Sequence, residues 1–480
     1  MLKNHNLKDK TLWLVFAVFL IITVWAICNH SPWRDEAQSW LLIRDLNLPE
    51  LINQMPYEGT PPLWHLLVYP LAKLNLPYVS QSILHYLLAL SSVFILIFFS
   101  PLPKKAKLIL PFTYYLLFEY IVIARNYNLT ALLLFIIASI YSIRFKRPIL
   151  YASLLFLLAW TNVHSLAMAF LLTSLFIYDL IKKQLDNKKN LTAVFVMVSG
   201  IFSAILMLVP QLDQYSGFTF LGFRPIAQSL ASALFPFFAN PNLPIFVSII
   251  VSLLWLPFII SLLKSWRAKI IFIIPVLWLE FIFLFKHSGY LRHYGLILIF
   301  FIFAWWLDLI IIKRKSIYKQ SLYAKIILIL FLVCLVINSG YAFNFFYKTN
   351  KMFFSGSQEM AQYLKDNNLD QEEIATYPSY SGSALLPYLP GKEFYQLDAQ
   401  KKATFLTWNN DFFNGISTPY SILKNNLKYY YSLPENKVDS VLLLTTFPPE
   451  DDPELEFIFK NSRETVKQDE FFYLYRLQLE

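Results

Sequence analysis

Eleven long, mostly apolar stretches recur along the first 344 residues of this chain, and they limit the fold more than any other feature. They cover about 11–29, 79–100, 108–124, 128–144, 148–163, 165–181, 191–210, 245–263, 269–286, 293–312 and 323–344. An α-helix of ~20 residues spans ~30 Å, the thickness of a bilayer's hydrocarbon core. A water-soluble core cannot absorb this many such runs. The chain is 57% hydrophobic and 15% charged, whereas soluble domains carry charge on about a quarter of their residues. The pattern predicts an all-α polytopic membrane protein with about eleven transmembrane helices.

Lys and Arg collect in alternate loops, as they do on the cytoplasmic side of membrane proteins. Those loops hold Lys3, Lys8 and Lys10; Lys104, Lys105 and Lys107; Arg144, Lys146 and Arg147; Lys182, Lys183, Lys188 and Lys189. Lys264, Arg267 and Lys269, then Lys313, Arg314, Lys315 and Lys319, continue the alternation. The other loops and the C-terminal region are then extracytoplasmic. Residues 1–344 hold 28 of the 41 Lys and Arg and 12 of the 31 Asp and Glu, a formal +16; residues 345–480 hold the other 13 and 19, a formal −6. With the basic residues in short loops and no basic stripe on a soluble face, no nucleic-acid partner is expected. Cys28 and Cys334 lie in apolar runs and give neither a metal motif nor a disulfide framework. The first run is read as an uncleaved anchor, because no small-residue cleavage site follows it.

Two extracytoplasmic segments exceed simple turns. In residues 30–78, Asp35–Leu46 and Leu63–Leu74 carry apolar residues at helical spacing and are expected as helices lying in the membrane interface. Residues 345–480 read as a small extracytoplasmic α/β domain, with a helix at Ser357–Asn368 and strands at Ile374–Tyr377, Ser440–Thr446 and Phe471–Leu477. The expected division is therefore 1–344, a transmembrane domain, and 345–480, the α/β domain.

The chemistry-bearing motifs fall in the extracytoplasmic segments. Trp33-Arg34-Asp35-Glu36-Ala37 follows the first span. Adjacent carboxylates at a membrane surface are solvated, paired or used, and acids also suit a helix start. Tyr57-Glu58-Gly59-Thr60-Pro61-Pro62-Leu63-Trp64-His65 comes some twenty residues later; its paired prolines make a rigid entry into a helix. Ala124-Arg125-Asn126-Tyr127, Thr161-Asn162-Val163-His164 and Tyr290-Leu291-Arg292-His293-Tyr294 stand at junctions on the same side. Glu119 and Glu280 lie inside apolar runs, Glu119 being read as structural with Arg125, while Asp179 and Asp308 sit at the cytoplasmic boundary.

Taken together, these motifs resemble the GT-C glycosyltransferases. The closest resemblance is to the bacterial branch of protein O-mannosyltransferases, aminoarabinose transferases and RgtA/B/C/D-like sugar transferases. That group has an acidic motif outside the first span, a later Pro-Pro-Leu-aromatic motif in the same loop and an outer C-terminal domain. This chain departs from it at Thr60, where relatives often have His, and at His85, near where they often place Arg. The resemblance implies transfer of a sugar from a polyprenyl-phosphate donor to a glycan, lipid or protein acceptor, with inversion. It assigns Asp35 as general base and Glu36 as its helper or orienter. Arg125, Arg292 and His293 are the candidates for the donor phosphate, since Arg presents a planar fork suited to it. Glu58, His65 and His164 are candidates for the acceptor or for a divalent cation; no cofactor is otherwise implied.

Two further classes compete. A transporter or flippase for a lipid or lipid-linked sugar is expected to show broken paired helices and an internal repeat. The chain has 11 glycines and no evident repeat. A non-catalytic scaffold would tolerate substitution at Asp35, Arg125 and Arg292.

Overall fold

The computed structural model describes residues 5–185, 187–214, 219–312, 322–413, 418–449 and 452–479, without the side chains of residues 323 and 324. The expectations for Lys3, Lys313, Arg314, Lys315 and Lys319 lie outside the described residues. The helices are α1 (Lys10–Cys28), α2 (Arg34–Asp45), α3 (Leu48–Glu58), α4 (Leu63–Lys73), α5 (Val79–Phe99) and the short α6 (Lys104–Ile109). There follow α7 (Tyr127–Ile140), α8 (Pro148–Ala159), α9 (Leu166–Lys183), α10 (Lys188–Met207), α11 (Arg224–Leu234) and α12 (Ile245–Leu262). Next come α13 (Trp266–Phe285), α14 (Leu291–Ile311), α15 (Leu322–Thr349), α16 (Ser357–Asp366), the single turn α17 (Ser379–Gly382) and α18 (Tyr420–Ser432).

Among the described residues, eight helices are long and apolar enough to cross a membrane: α1, α5, α9 with the turn before it, α10, α12, α13, α14 and α15. Their outward faces stay apolar, with Ile21, Phe195, Leu253, Leu254 and Leu277 each more than 60% exposed. Exposed apolar surface of this extent fits contact with lipid rather than water. The α14 helix is enclosed by the others, so that Leu296–Leu307 is buried along its whole length.

Three of the eleven expected spans differ. Residues 108–124 do not form one helix. Pro111 cannot donate to a helical ladder; a 3-10 turn at Leu110–Phe112 gives way to a wide π turn at Tyr115–Glu119. Irregular backbone within an apolar bundle needs internal partners. Asn338 of α15 supplies them: its Oδ1 accepts from the Tyr114 N–H at 2.8 Å and its Nδ2 donates to the Leu234 carbonyl at 2.8 Å. The runs 128–144 and 148–163 form helices of only 14 and 12 residues, α7 and α8, short of the ~20 a perpendicular crossing takes.

Two local signals explain the chain's course between α1 and α5. Asn47 and Glu50 cap each other's backbone at the start of α3. Gly59, at φ 62°, ends α3 in the left-handed conformation that glycine adopts without a Cβ penalty. The α2 helix does not lie on an interface as expected. Its residues Glu36–Ile43 are all buried. Trp33, Trp40, Leu42 and Ile43 join the core of the helical bundle, while Ala37 and Leu41 join the core formed by the C-terminal region.

The C-terminal region forms a six-stranded sheet from β1 (Ile374–Tyr377), β2 (Phe394–Gln396), β3 (Lys401–Ala403), β4 (Ser440–Thr445), β5 (Leu455–Lys460) and β6 (Tyr473–Gln478). Strand order is β3-β2-β1-β4-β6-β5, with β1 parallel to β2 and β4 and the other pairings antiparallel. The three strands expected from sequence match β1, β4 and β6 to within two residues at either end; β2, β3, β5 and α18 were not anticipated.

Candidate active site

Where the helical bundle meets the C-terminal region, a cleft of about 680 Å³ opens. Trp33, Arg34, Asp35 and Gln38 of the α2 segment, Glu58, Arg125, Tyr290 and Arg292 line it from the bundle. Leu406, Trp408, Val466, Lys467, Gln468 and Asp469 line it from the C-terminal region. Residues from six separate stretches of chain therefore share one cavity.

Asp35 stands in the first turn of α2, where a carboxylate gains from the helix dipole. Its Oδ2 is met by two guanidinium groups, Arg125 Nη1 at 3.0 Å and Arg292 Nη2 at 3.2 Å. Arg125 also donates to the Asp35 carbonyl at 2.9 Å. Arg292 stacks over Trp33 and Tyr290, with 5.4 and 4.7 Å to the ring centroids. Its Nε is buried and without a hydrogen-bond partner among the described residues. Burial would raise the Asp35 carboxyl, but the charges of Arg125, Arg292, Arg34 and Lys467 outweigh it and hold the group at about 2.

Glu36, one residue on, is fully buried and faces away from the cleft. His30 Nε2 and the Trp33 N–H meet its Oε2 at 2.8 and 3.2 Å, and the Ala124 N–H donates to its Oε1 at 2.7 Å. Burial acts to raise this carboxyl; His30 and the two backbone donors more than offset it and leave it lowered. With both oxygens engaged, Glu36 ties the α2 start to the loop carrying Arg125. It fixes the distance between Asp35 and Arg125 and does not reach the cavity.

Glu58 does line the cleft. Gln38 Nε2 donates to its Oε1 at 2.9 Å, and burial pushes its carboxyl up to about 7. The remaining sequence candidates stand behind the cavity. His65 is buried on α4, where desolvation followed by the Arg125 charge takes its imidazole down to about 3. His293, expected at the donor phosphate, is buried and does not line the cleft. It stacks on His164, and the two rings group with His287 so that one nitrogen of each lies within 4.8 Å of the others.

This histidine group is the one place where at least three possible metal ligands converge among the described residues. Its hydrogen bonds fit a cation poorly. Nδ1 of His287 accepts from the Gly289 N–H at 3.0 Å, and Nδ1 of His293 accepts from the Tyr290 N–H at 2.9 Å. Each neutral ring then carries its proton on Nε2, which offers a donor instead of a lone pair. His293 Nε2 lies 2.8 Å from the Tyr127 hydroxyl. The expected set Glu58, His65 and His164 forms no metal-holding group among the described residues.

The other buried carboxylates have local partners. Glu119 accepts from the Tyr114 hydroxyl at 3.0 Å instead of pairing with Arg125. Ser229 donates to both oxygens of Glu280, and Asp308 accepts from the backbone N–H groups of Lys264 and Ser265. Sequence reading missed Gln38, Trp408 and Lys467. Gln38 looks like the polar side of an amphipathic helix, and the other two lie in the C-terminal region with no motif around them.

Comparison with models of known protein families, with curated proteins and with solved structures returns no match.

Proposed function

We propose that this protein is a membrane glycosyltransferase of GT-C type that takes a sugar from a polyprenyl-phosphate donor and passes it to a hydroxyl of a glycan, lipid or protein. The observation carrying this reading is the convergence of Arg125 and Arg292 on Asp35 at the wall of a large cleft. The eight apolar helices, with the shorter α7, α8 and the broken segment 108–124 filling the bundle, would sit in a bacterial inner membrane. The basic loops would then face the cytoplasm and the cleft would open on the opposite side.

In this reading the acceptor hydroxyl attacks the anomeric carbon from the face opposite the phosphate, and its proton passes to Asp35. The bond from anomeric carbon to phosphate oxygen breaks, the configuration inverts, and polyprenyl phosphate departs with its new charge held by Arg125 and Arg292. A carboxylate held at about 2 is a weak base. Donor binding removes that obstacle: a phosphate that engages both guanidinium groups withdraws their charge from Asp35 and raises its basicity. The donor is therefore expected to bind before the acceptor. Glu58, which titrates near neutrality, is placed to hydrogen-bond a sugar hydroxyl.

Mass spectrometry of envelope lipids and glycans from cells with and without the protein tests the reading. A missing increment of one sugar, restored by the wild-type gene, is the expected result; identical glycan and lipid profiles would sink it.

A further inference from the structure

We infer that Lys467 is a third binding group for the donor phosphate, so that the C-terminal region forms part of the donor site. The inference rests on the function proposed above. Four cationic side chains line the cleft: Arg34, Arg125, Arg292 and Lys467. Asp35 engages Arg125 and Arg292, and Asp469 and Glu470 engage Arg34. Lys467 is the member left without a carboxylate within 4 Å among the described residues. Its ammonium lies 3.8 Å from the centre of the Trp33 ring, and Arg292 stacks over that same indole. Two positive charges thus flank one aromatic ring beside the Asp35 carboxylate, and the buried Nε of Arg292 is unpartnered there.

A flexible surface lysine would carry little meaning, but this one is held. The Val466 and Lys467 N–H groups donate to the Phe353 and Phe354 carbonyls at 2.8 and 3.1 Å, just beyond the end of α15. The Lys467 carbonyl accepts from Thr465 Oγ1 and from the Glu470 N–H, both at 2.8 Å. Beside it, Glu470 Oε1 accepts from the Arg34 N–H at 3.1 Å, and Arg34 Nη1 donates to Asp469 at 2.5 Å. Across the cleft, Gln38 and the Leu406 backbone exchange two hydrogen bonds of 2.7 and 3.1 Å. The segment is therefore clamped to the α2 start at the point where Asp35 projects. Burial, with Arg292 second, lowers the Lys467 ammonium from its ordinary range. A bound anion would reverse that shift.

The test uses the full-length protein purified in detergent and titrated with a polyprenyl phosphate, with inorganic phosphate and an anionic phospholipid in parallel. Lys467→Gln is expected to raise the Kd for polyprenyl phosphate roughly tenfold or more at unchanged Tm, and Lys467→Arg to restore most of the affinity. Inorganic phosphate and phospholipid should compete only at far higher concentration. Wild-type affinity in Lys467→Gln, with affinity lost in Arg292→Gln, would overturn the role of Lys467 and leave the proposed function standing. Failure of the wild-type protein to bind polyprenyl phosphate would overturn both.

Discussion

Among the described residues the same trio occurs twice, one aspartate between two arginines, at different places in the bundle. Asp179, near the last turn of α9, takes Arg144 on Oδ2 at 2.8 Å and a two-pronged grip from Arg267 at 2.6 and 2.9 Å. Arg144 is stacked on Tyr141 and Phe145, at 4.0 and 4.4 Å, and Arg267 on Tyr178 and Trp266. Both carboxylate oxygens are used, and only 4% of the Asp179 side chain is exposed. At Asp35 both arginines crowd onto Oδ2, 21% of the side chain is exposed, and a 680 Å³ cleft adjoins it. The ion pair itself does not mark a functional site. What distinguishes the Asp35 trio is unspent valence: a guanidinium nitrogen, Arg292 Nε, without a hydrogen-bond partner among the described residues, and further cations around a cavity.

Charge removal should separate the two trios. In a transfer assay, Arg125→Ala with Arg292→Ala is expected to cut kcat/KM by roughly a thousandfold or more, since each donor to a developing phosphate charge is worth ~10²-fold or more. The protein should still insert and fold. Near-normal transfer by that double variant would erase the contrast. Arg292→Lys retains the charge but loses the planar fork, and a fall of roughly tenfold to a hundredfold in kcat/KM is expected. Equal rates for Lys and Arg would argue for a bare electrostatic role.

At the other trio, Asp179→Asn leaves two largely buried guanidinium groups facing a neutral amide. Breaking such a network costs about 3 kcal/mol, so thermal unfolding should shift down by several degrees while turnover per folded molecule is unchanged. Loss of turnover at full stability would place chemistry there instead. The smallest effect concerns Glu58, whose carboxyl titrates at about 7 in the fold against an ordinary 4.5. Below about pH 4.5 both folded and unfolded states hold the proton, and no cost arises. As pH rises towards 7 the unfolded state ionises first, and the wild-type protein loses stability. Glu58→Gln cannot ionise, so its Tm should match wild type near pH 4.5 and exceed it by a few degrees at pH 8. A gap independent of pH would contradict the raised titration.

Much of the bundle could be read in the sequence, because length and apolarity are one-dimensional properties: α1, α5, α10, α13 and α14 fall where apolar runs of ~20 residues lie. The break at 110–124 could not. Its composition is that of a span, and the group that stabilises it, Asn338, lies more than two hundred residues away. The α2 helix was legible as a helix, yet its burial on every side depends on a C-terminal core that no local period encodes. The site divides similarly. Asp35, Arg125 and Arg292 stood out as charges at ends of apolar runs, where an ionisable group is costly. Asp35 and Glu36 are neighbours on one helix, about 100° apart around its axis, and only packing decides which faces the cavity. Lys467 is one of 13 basic residues in an acidic region, with nothing in its surroundings to single it out.

The central claim is that the Asp35 carboxylate takes the acceptor's proton during sugar transfer. Asp35→Asn keeps the side chain's shape and removes its basicity, so kcat of the purified protein with a polyprenyl-phosphate sugar should fall by roughly 10²- to 10⁴-fold, with Tm lowered because Arg125 and Arg292 lose their carboxylate partner. Turnover at the wild-type rate in that variant would contradict the account.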